Sequence, residues 1–345
     1  MRPRPLEEPP MSQSQPLQRA DGFAASARSA MNNTRLLRRL DDFSLPLIFA
    51  ILFAALSLSV EYFFSWQNMV GLALSVSQIG MVACTMMFCL ASRDFDLSIG
   101  STVAFAGVLC ATVINATGSI ALGIGASLLA GAVIGGINGF VIARLKINAL
   151  ITTLATMEIV RGLAFIASHG QAVGVSEMAF FDLGNTIVLG VPTPVWVAAL
   201  CFVAFGVLLN KTVYGRNTLA IGGNPEAARL AGVNVNLTRI VIFLVQGVIA
   251  ALAGVILAAR ITSGQPNAAQ GFELNVISAC VLGGVSLMGG RASISGVLVG
   301  VLIMGTVQNA MNLLNIDAFY QYLVRGGILL AAVLVDQIKH RGGRD

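Results

Sequence analysis

Apolar residues along this chain come in blocks. From about Leu45 to Val335 each block runs for about 17 to 25 residues before a short polar, charged, glycine or proline cluster interrupts it, and a block of that length crosses a hydrocarbon layer of roughly 30 Å as a helix. Ten blocks begin near Pro46, Met69, Leu97, Ser119, Ile147, Pro194, Thr238, Phe272, Ser293 and Ala318. The pattern predicts an all-α polytopic membrane protein with about ten transmembrane helices, forming one domain over 43–338. Residues 1–42 are rich in Pro, Ser, Gln and Arg and have no apolar run; such a stretch cannot bury enough surface to fold and predicts a disordered tail. Residues 339–345 form a second, short tail. The first tail has no apolar core ending at a small-residue cleavage site, so it does not read as a signal peptide. Arg38-Arg39 reads as anchoring charge rather than a twin-arginine signal, because Leu40-Asp41-Asp42 and an uninterrupted span follow.

Composition removes the soluble alternatives. Of 345 residues, 56% are hydrophobic and 11% charged, against about 25% charged in a soluble domain. Cytoplasmic loops collect Lys and Arg, and with the N-terminus inside, the inner segments hold 18 of the 21. Only Arg161, Arg260 and Arg325 remain, and the outer segment from Ser168 to Thr193 has none. One miscounted span would destroy that asymmetry, so it predicts ten spans with both termini cytoplasmic. The net charge of +5 is then topological, facing anionic membrane lipid rather than nucleic acid.

Candidate chemistry is sparse. Cys84, Cys89, Cys110, Cys201 and Cys280 all fall inside predicted spans without a CxxC pair, as small packing residues do. His169 and His340 are the only histidines, so neither a His-based metal site nor a triad is supported. No GxxxxGK[ST] occurs, and GGRASISG at 289–296 lacks the Lys-Ser/Thr that would reach phosphate and magnesium. The chain reads as no enzyme, with no cofactor or metal of its own; if ATP drives it, another chain hydrolyses the ATP.

Two features concern the spans themselves. Gly131, Gly135 and Gly139, and again Gly296 and Gly300, recur every four residues, giving flat faces where helix backbones meet. Polar residues inside spans are costly and face protein or water; Asn148, Glu158, Arg161, Asn309 and Asn312 are the candidates for a translocation path, although a hydrogen bond between helices is the simpler reading of each. Glu158 and Arg161, three apart on one helix, could pair. Asp96, ahead of Leu97-Ser98, reads as the cap of the third span.

The sharpest motif lies in the largest inner loop, about 210–237, which contains GGNPEAARLAGVNVNLTRIVIFLV. Asn224 suits an N-cap, Pro225 the first helical position, and Glu226 the positive end of the dipole. Ala227 and Ala228 favour helix, and Gly232 suits a left-handed stop. A helix over about 224–233 would be only about 10 Å long and too short to stand alone. Glu226-Ala227-Ala228, Gly232, Ile242 and Leu244 fall at the spacing of the EAA pattern in ATP-binding-cassette importer permeases, departing from it at Val245, where the pattern has Pro. LASRDFDLSIGS, INALITTLATMEIVRGLAFI, ISACVLGGVSLMGG and TVQNAMNLLNIDAFYQYLVRG extend the likeness. Over roughly Asp42 to Asp336 the chain resembles the ribose, galactose and arabinose permease family, and RLKINALITTLATM and QNAMNLLNI are nearest to its L-arabinose branch.

The resemblance implies an importer permease fold in a bacterial inner membrane. It implies a homodimer of two permease copies, a cytoplasmic double-cassette ATPase that binds ATP and magnesium, and a periplasmic sugar-binding protein. The Glu226 to Gly232 helix would couple ATPase closure to alternating access for L-arabinose or a related monosaccharide. Ribose, xylose, galactose or inositol is the alternative within the class. An ion-driven carrier that relays protons through Glu158 is the alternative outside it.

Overall fold

The computed structural model of the chain describes residues 45–341, with side chains of 335, 336 and 338–341 left out; residues 1–44, with the expected tail among them, and residues 342–345 lie outside the described residues. The chain divides into two units after Ala50. Of the first, only the opening turns of helix α1 (Leu45–Ser59) are described. Everything below concerns the second unit, from Ile51 onward.

Seven described helices are long and apolar enough to cross a membrane: α2 (Trp66–Ala91), α3 (Ile99–Thr117), α4 (Ile120–Arg144), α5 (Ala149–Ala167), α7 (Thr193–Lys211), α10 (Val235–Ile261) and α12 (Ile294–Leu313). Between them lie the short helices α6 (Met178–Asn185), α8 (Val213–Gly223), α9 (Pro225–Leu230) and α11 (Phe272–Leu282), and α13 (Ala318–Arg341) ends the described chain. Of the spans expected at Pro46, Phe272 and Ala318, α1 and α13 are described as apolar over Leu45–Ser59 and Ala318–Leu334, whereas α11 has only 11 residues. An 11-residue helix is about 16 Å long, well short of a crossing. Gly283 and Gly284 stop it, the latter at φ +81°, a conformation only glycine adopts without strain.

Side-chain oxygens set the starts of the long helices. Ser65, Ser119, Asn148 and Ser293 each accept from a backbone N–H in the first turn that follows, replacing bonds the helix itself cannot make. Asp96 does not cap α3 as the sequence suggests. It accepts instead from the N–H of Ser98 at 2.9 Å and its hydroxyl at 2.6 Å, and α3 begins after Ser98. The segment from Ser168 to Thr193 is folded: antiparallel β1 (Val173–Gly174) and β4 (Ser263–Gly264) tie it to the end of α10, and β2 (Ile187–Val188) with β3 (Val191–Pro192) forms a hairpin.

The core sits around α2, in which every residue from Gly80 to Ala91 is buried. The glycine stripe of α4 is where α4 meets α10. A Cβ on Gly131 would lie 2.3 Å from the carbonyl oxygen of Gly247, and one on Gly135 would lie 2.1 Å from that of Phe243. Gly296 and Gly300 do the same for α12 against α11, meeting the carbonyls of Gly283 and Ala279. All five cysteines are buried and free.

Candidate coupling site and the polar positions of the spans

Helix α9 is closed at both ends by its own neighbours. The Asn224 side chain accepts from the N–H groups of Glu226 and Ala227 at 3.0 and 3.1 Å, and Pro225 opens the helix. At the other end Gly232 stands at φ +86°. Its N–H reaches the carbonyl of Arg229, and that of Val233 reaches the carbonyl of Ala228, the paired bonds of a Schellman stop. Six residues cannot hold a helix alone. What fastens α9 is Ala228, 5% exposed, packed with Ile221 of α8 and Val235 of α10. Glu226, Ala227 and Arg229 therefore face outward, Glu226 lying 3.6 Å from Arg229. Leu230 is 89% exposed, an apolar tip that the motif alone does not single out; four residues after Glu226, it shares that residue's side of the helix.

The platform under α9 is not legible in the sequence, because it is built from glycine backbones. A Cβ on Gly222 of α8 would lie 1.7 Å from the carbonyl oxygen of Ala91 and 2.4 Å from the nitrogen of Gly290. The Gly290 N–H donates to that same Ala91 carbonyl at 2.9 Å, and the Arg93 guanidinium donates to the Gly223 carbonyl at 2.8 Å. Gly289 and Gly290 both stand at φ +76°. Movement of α8 and α9 therefore bears directly on the end of α2 and on the loop between α11 and α12.

A cavity of about 620 Å³ opens beside α9, with Arg93, Asp94, Asn148, Glu226, Arg229 and Arg239 among its walls. Asp94 and Arg239 join the α2–α3 junction to α10: Nε of Arg239 lies 3.1 Å from the carboxylate, off the hydrogen-bond axis, so the attraction is chiefly electrostatic. Burial pushes the Asp94 carboxyl up to about 6 against the pull of Arg239 and Ser92. Asp96 is also raised to about 6 by burial, held back by its bonds from Ser98. Asp96 begins a buried polar chain, since Ser98 accepts from Asn138 of α4 at 3.0 Å and Asn138 accepts from Thr156 of α5 at 2.6 Å.

The five polar candidates do not converge on one point. Asn148 caps α5 through the Leu150 N–H at 2.8 Å. Arg161 donates to the carbonyls of Pro266 and Ala268 at 2.7 and 2.8 Å, and no ion pair joins it to Glu158 among the described residues. Glu158 faces outward from α5. Asn309 and Asn68 exchange amide bonds at 2.7 and 2.9 Å, tying α12 to α2, and Asn312 accepts from Gln321 of α13 at 3.0 Å.

Seven helices long and apolar enough to cross a membrane, two of them locked together by backbone contact, describe a polytopic membrane protein. Residues 68–333 match the family described as branched-chain amino acid transport system / permease component. The chain belongs to that permease family. It is 59% identical over 304 residues to the L-arabinose transport system permease protein AraH of Escherichia coli K12, covering 88% of this chain and 93% of that protein. Azospirillum brasilense has an L-arabinose ABC transporter permease protein 54% identical over 324 residues, covering 94% and 95%. The ribose import permease protein RbsC of Bacillus subtilis is 39% identical over 274 residues, covering 79% and 85%. No solved structure matches this permease.

Proposed function

We propose that this chain is the membrane-spanning subunit of an ATP-binding-cassette importer that brings L-arabinose into the cell. The relatives at 59% and 54% identity are named for L-arabinose, and those named for ribose stand lower at 38–39%. The observation that carries the mechanism is α9, a helix preformed by Asn224 and Gly232 and fastened through Ala228, which presents Glu226, Ala227, Arg229 and Leu230 outward. In this reading a separate double-cassette ATPase binds ATP and magnesium and receives α9 in a groove, while a periplasmic binding protein delivers the sugar. Two copies of the chain enclose the path, with both termini cytoplasmic. ATPase closure displaces α9 and α8, and the glycine platform passes that displacement to α2 and the α11–α12 loop.

Reversing the charge of Glu226 tests this. Glu226→Lys places a cation at the positive end of the helix dipole, a local swing of about 1 kcal/mol, and breaks only an exposed ion pair. The membrane domain is expected to insert normally, to bind its ATPase poorly and to lose sugar uptake. Native uptake with native ATP use in membrane vesicles would show that α9 is not the coupling element. Ribose import is separated from arabinose import by the sugar that the companion binding protein takes up.

A further inference from the structure

Two cations beside α9 have no opposite charge to meet. In the cavity of about 620 Å³ there, Asp94 stands 3.1 Å from Arg239 and Glu226 stands 3.6 Å from Arg229. Arg93 and Lys146 also wall it, form no ion pair among the described residues and face no third acid across the cavity. Arg93 donates one bond to the Gly223 carbonyl, which leaves its charge uncompensated. Both residues stand at left-handed φ, +67° and +57°, a conformation that a non-glycine residue keeps only where the surrounding structure imposes it. Backbone charge has the same sign. Helices α5 and α10 both begin at the cavity, with Ala149 and Val235 in its walls, and the first turn of a helix carries about half a positive charge. The cavity is therefore electropositive from side chains and main chain together. On one side it is bounded by apolar Ile147 and Leu150, 44% and 46% exposed.

We infer that this cavity binds a phosphate-bearing ligand of small-molecule size, gripped by Arg93 and Lys146 at the starts of α5 and α10. Four basic and two acidic wall residues leave a surplus of two positive charges, which matches the roughly −1.5 to −2 of a phosphomonoester near neutral pH. A single carboxylate would balance only half of it. Arginine offers a planar fork to two phosphate oxygens, and lysine a mobile point charge. A volume of about 620 Å³ exceeds what a bare ion fills and falls among sites for small organic ligands, roughly 300–1,000 Å³. Two sources carry this chemistry: a soluble sugar phosphate, and the two-phosphate headgroup of cardiolipin with its chains laid over Ile147 and Leu150. Either would tie together three separate segments. Arg93 belongs to the α2–α3 junction, Lys146 to the α4–α5 turn, and Glu226 with Arg229 to α9. Where α9 is the moving part, a bound phosphate brakes the cycle. That consequence rests on the coupling reading above; the binding does not.

The complete importer in phosphatidylcholine nanodiscs provides the test, with pentose 5-phosphate as the soluble probe and cardiolipin as the lipid probe. The ester is expected to bind the native importer and to slow the ATP hydrolysis stimulated by the sugar-loaded binding protein. Lys146→Gln, a change at an exposed residue, should weaken binding about tenfold, and Arg93→Gln with Lys146→Gln about a hundredfold. Comparing variants holds any binding to the ATPase constant. Cardiolipin added to the disc displaces the ester if the lipid is the occupant, and leaves its affinity unchanged if the soluble ester is. Equal binding of the ester, with equal retention of cardiolipin by native mass spectrometry, in the native and doubly substituted importers overturns the site. Binding seen with the permease alone and lost once the ATPase docks also overturns it, because the cavity then belongs to the ATPase contact. If Glu226→Lys transports normally, the coupling reading falls and the slowing with it, while the lost affinity of Lys146→Gln still reports the site.

Discussion

Gly135→Ala is a one-methyl change that should disturb the α4–α10 seam. The added Cβ would lie 2.1 Å from the Phe243 carbonyl oxygen, 2.9 Å from its carbon and 3.1 Å from the Leu244 Cα. All three atoms belong to the α10 backbone, which has no rotamer to change. Relief requires α4 and α10 to separate locally by about 1 Å, a gap that forfeits about a quarter to a half of the dispersion attraction between the atoms facing each other across the seam. Gly131 and Gly139, one turn to either side, pack so closely on α10 that a Cβ there would lie 2.3 and 2.7 Å from its backbone, and both would be drawn away from it. The cost is expected near the upper end for overpacking, about 3 kcal/mol, or a midpoint lowered by about 4 °C in a chain of this size. Gly136→Ala is the internal control: its Cβ meets nothing within 4 Å, and helix propensity favours the change by up to about 1 kcal/mol. The five buried cysteines supply the assay, because a thiol-reactive fluorophore reports their exposure as detergent-solubilised protein is heated. Equal midpoints for the two variants would refute backbone contact as the basis of the α4–α10 seam.

Two further outcomes are expected. The Asp96 carboxyl is raised in the fold from 3.8 to about 6, so its ionisation opposes folding; its contribution is fully present below about pH 4 and is lost as pH rises through about 6. The difference corresponds to about 3 kcal/mol. Asp96→Asn keeps an acceptor for Ser98, and should raise thermal stability at pH 7.5 and flatten the loss between pH 4 and 7; Asp94, raised likewise, accounts for the dependence that remains. Gly222→Ala places a methyl group 1.7 Å from the Ala91 carbonyl; it should leave ATPase binding intact while cutting sugar uptake per ATP hydrolysed, measured in proteoliposomes.

Sequence made the membrane class plain because burial in lipid demands long unbroken apolar blocks, and seven of these became helices of full length. It also placed α9, since Asn224, Pro225 and Gly232 act on their own neighbours. Half-length α11 was hidden: Gly283-Gly284 sits inside an apolar run, and hydropathy does not register a helix stop. The role of Gly222 was equally hidden, because its significance comes from Ala91 and Gly290, far away in sequence. Glu158 and Arg161, three apart, suggested a pair; the fold instead gives Arg161 the carbonyls of Pro266 and Ala268, which no local spacing foretells.

The α4–α10 seam also limits how this permease can move. Two backbones that touch through glycine cannot slide or roll past one another without collision, so α4 and α10 travel as one piece. Whatever boundary shifts during a transport cycle must run elsewhere, along surfaces that tolerate sliding. The second half of α2 offers one, for Met81, Met86 and Met87 are fully buried there, and unbranched thioether chains can re-pack as their neighbours shift. One seam is welded and another is greased, and the division of the bundle into moving parts follows from where the glycines and the methionines lie.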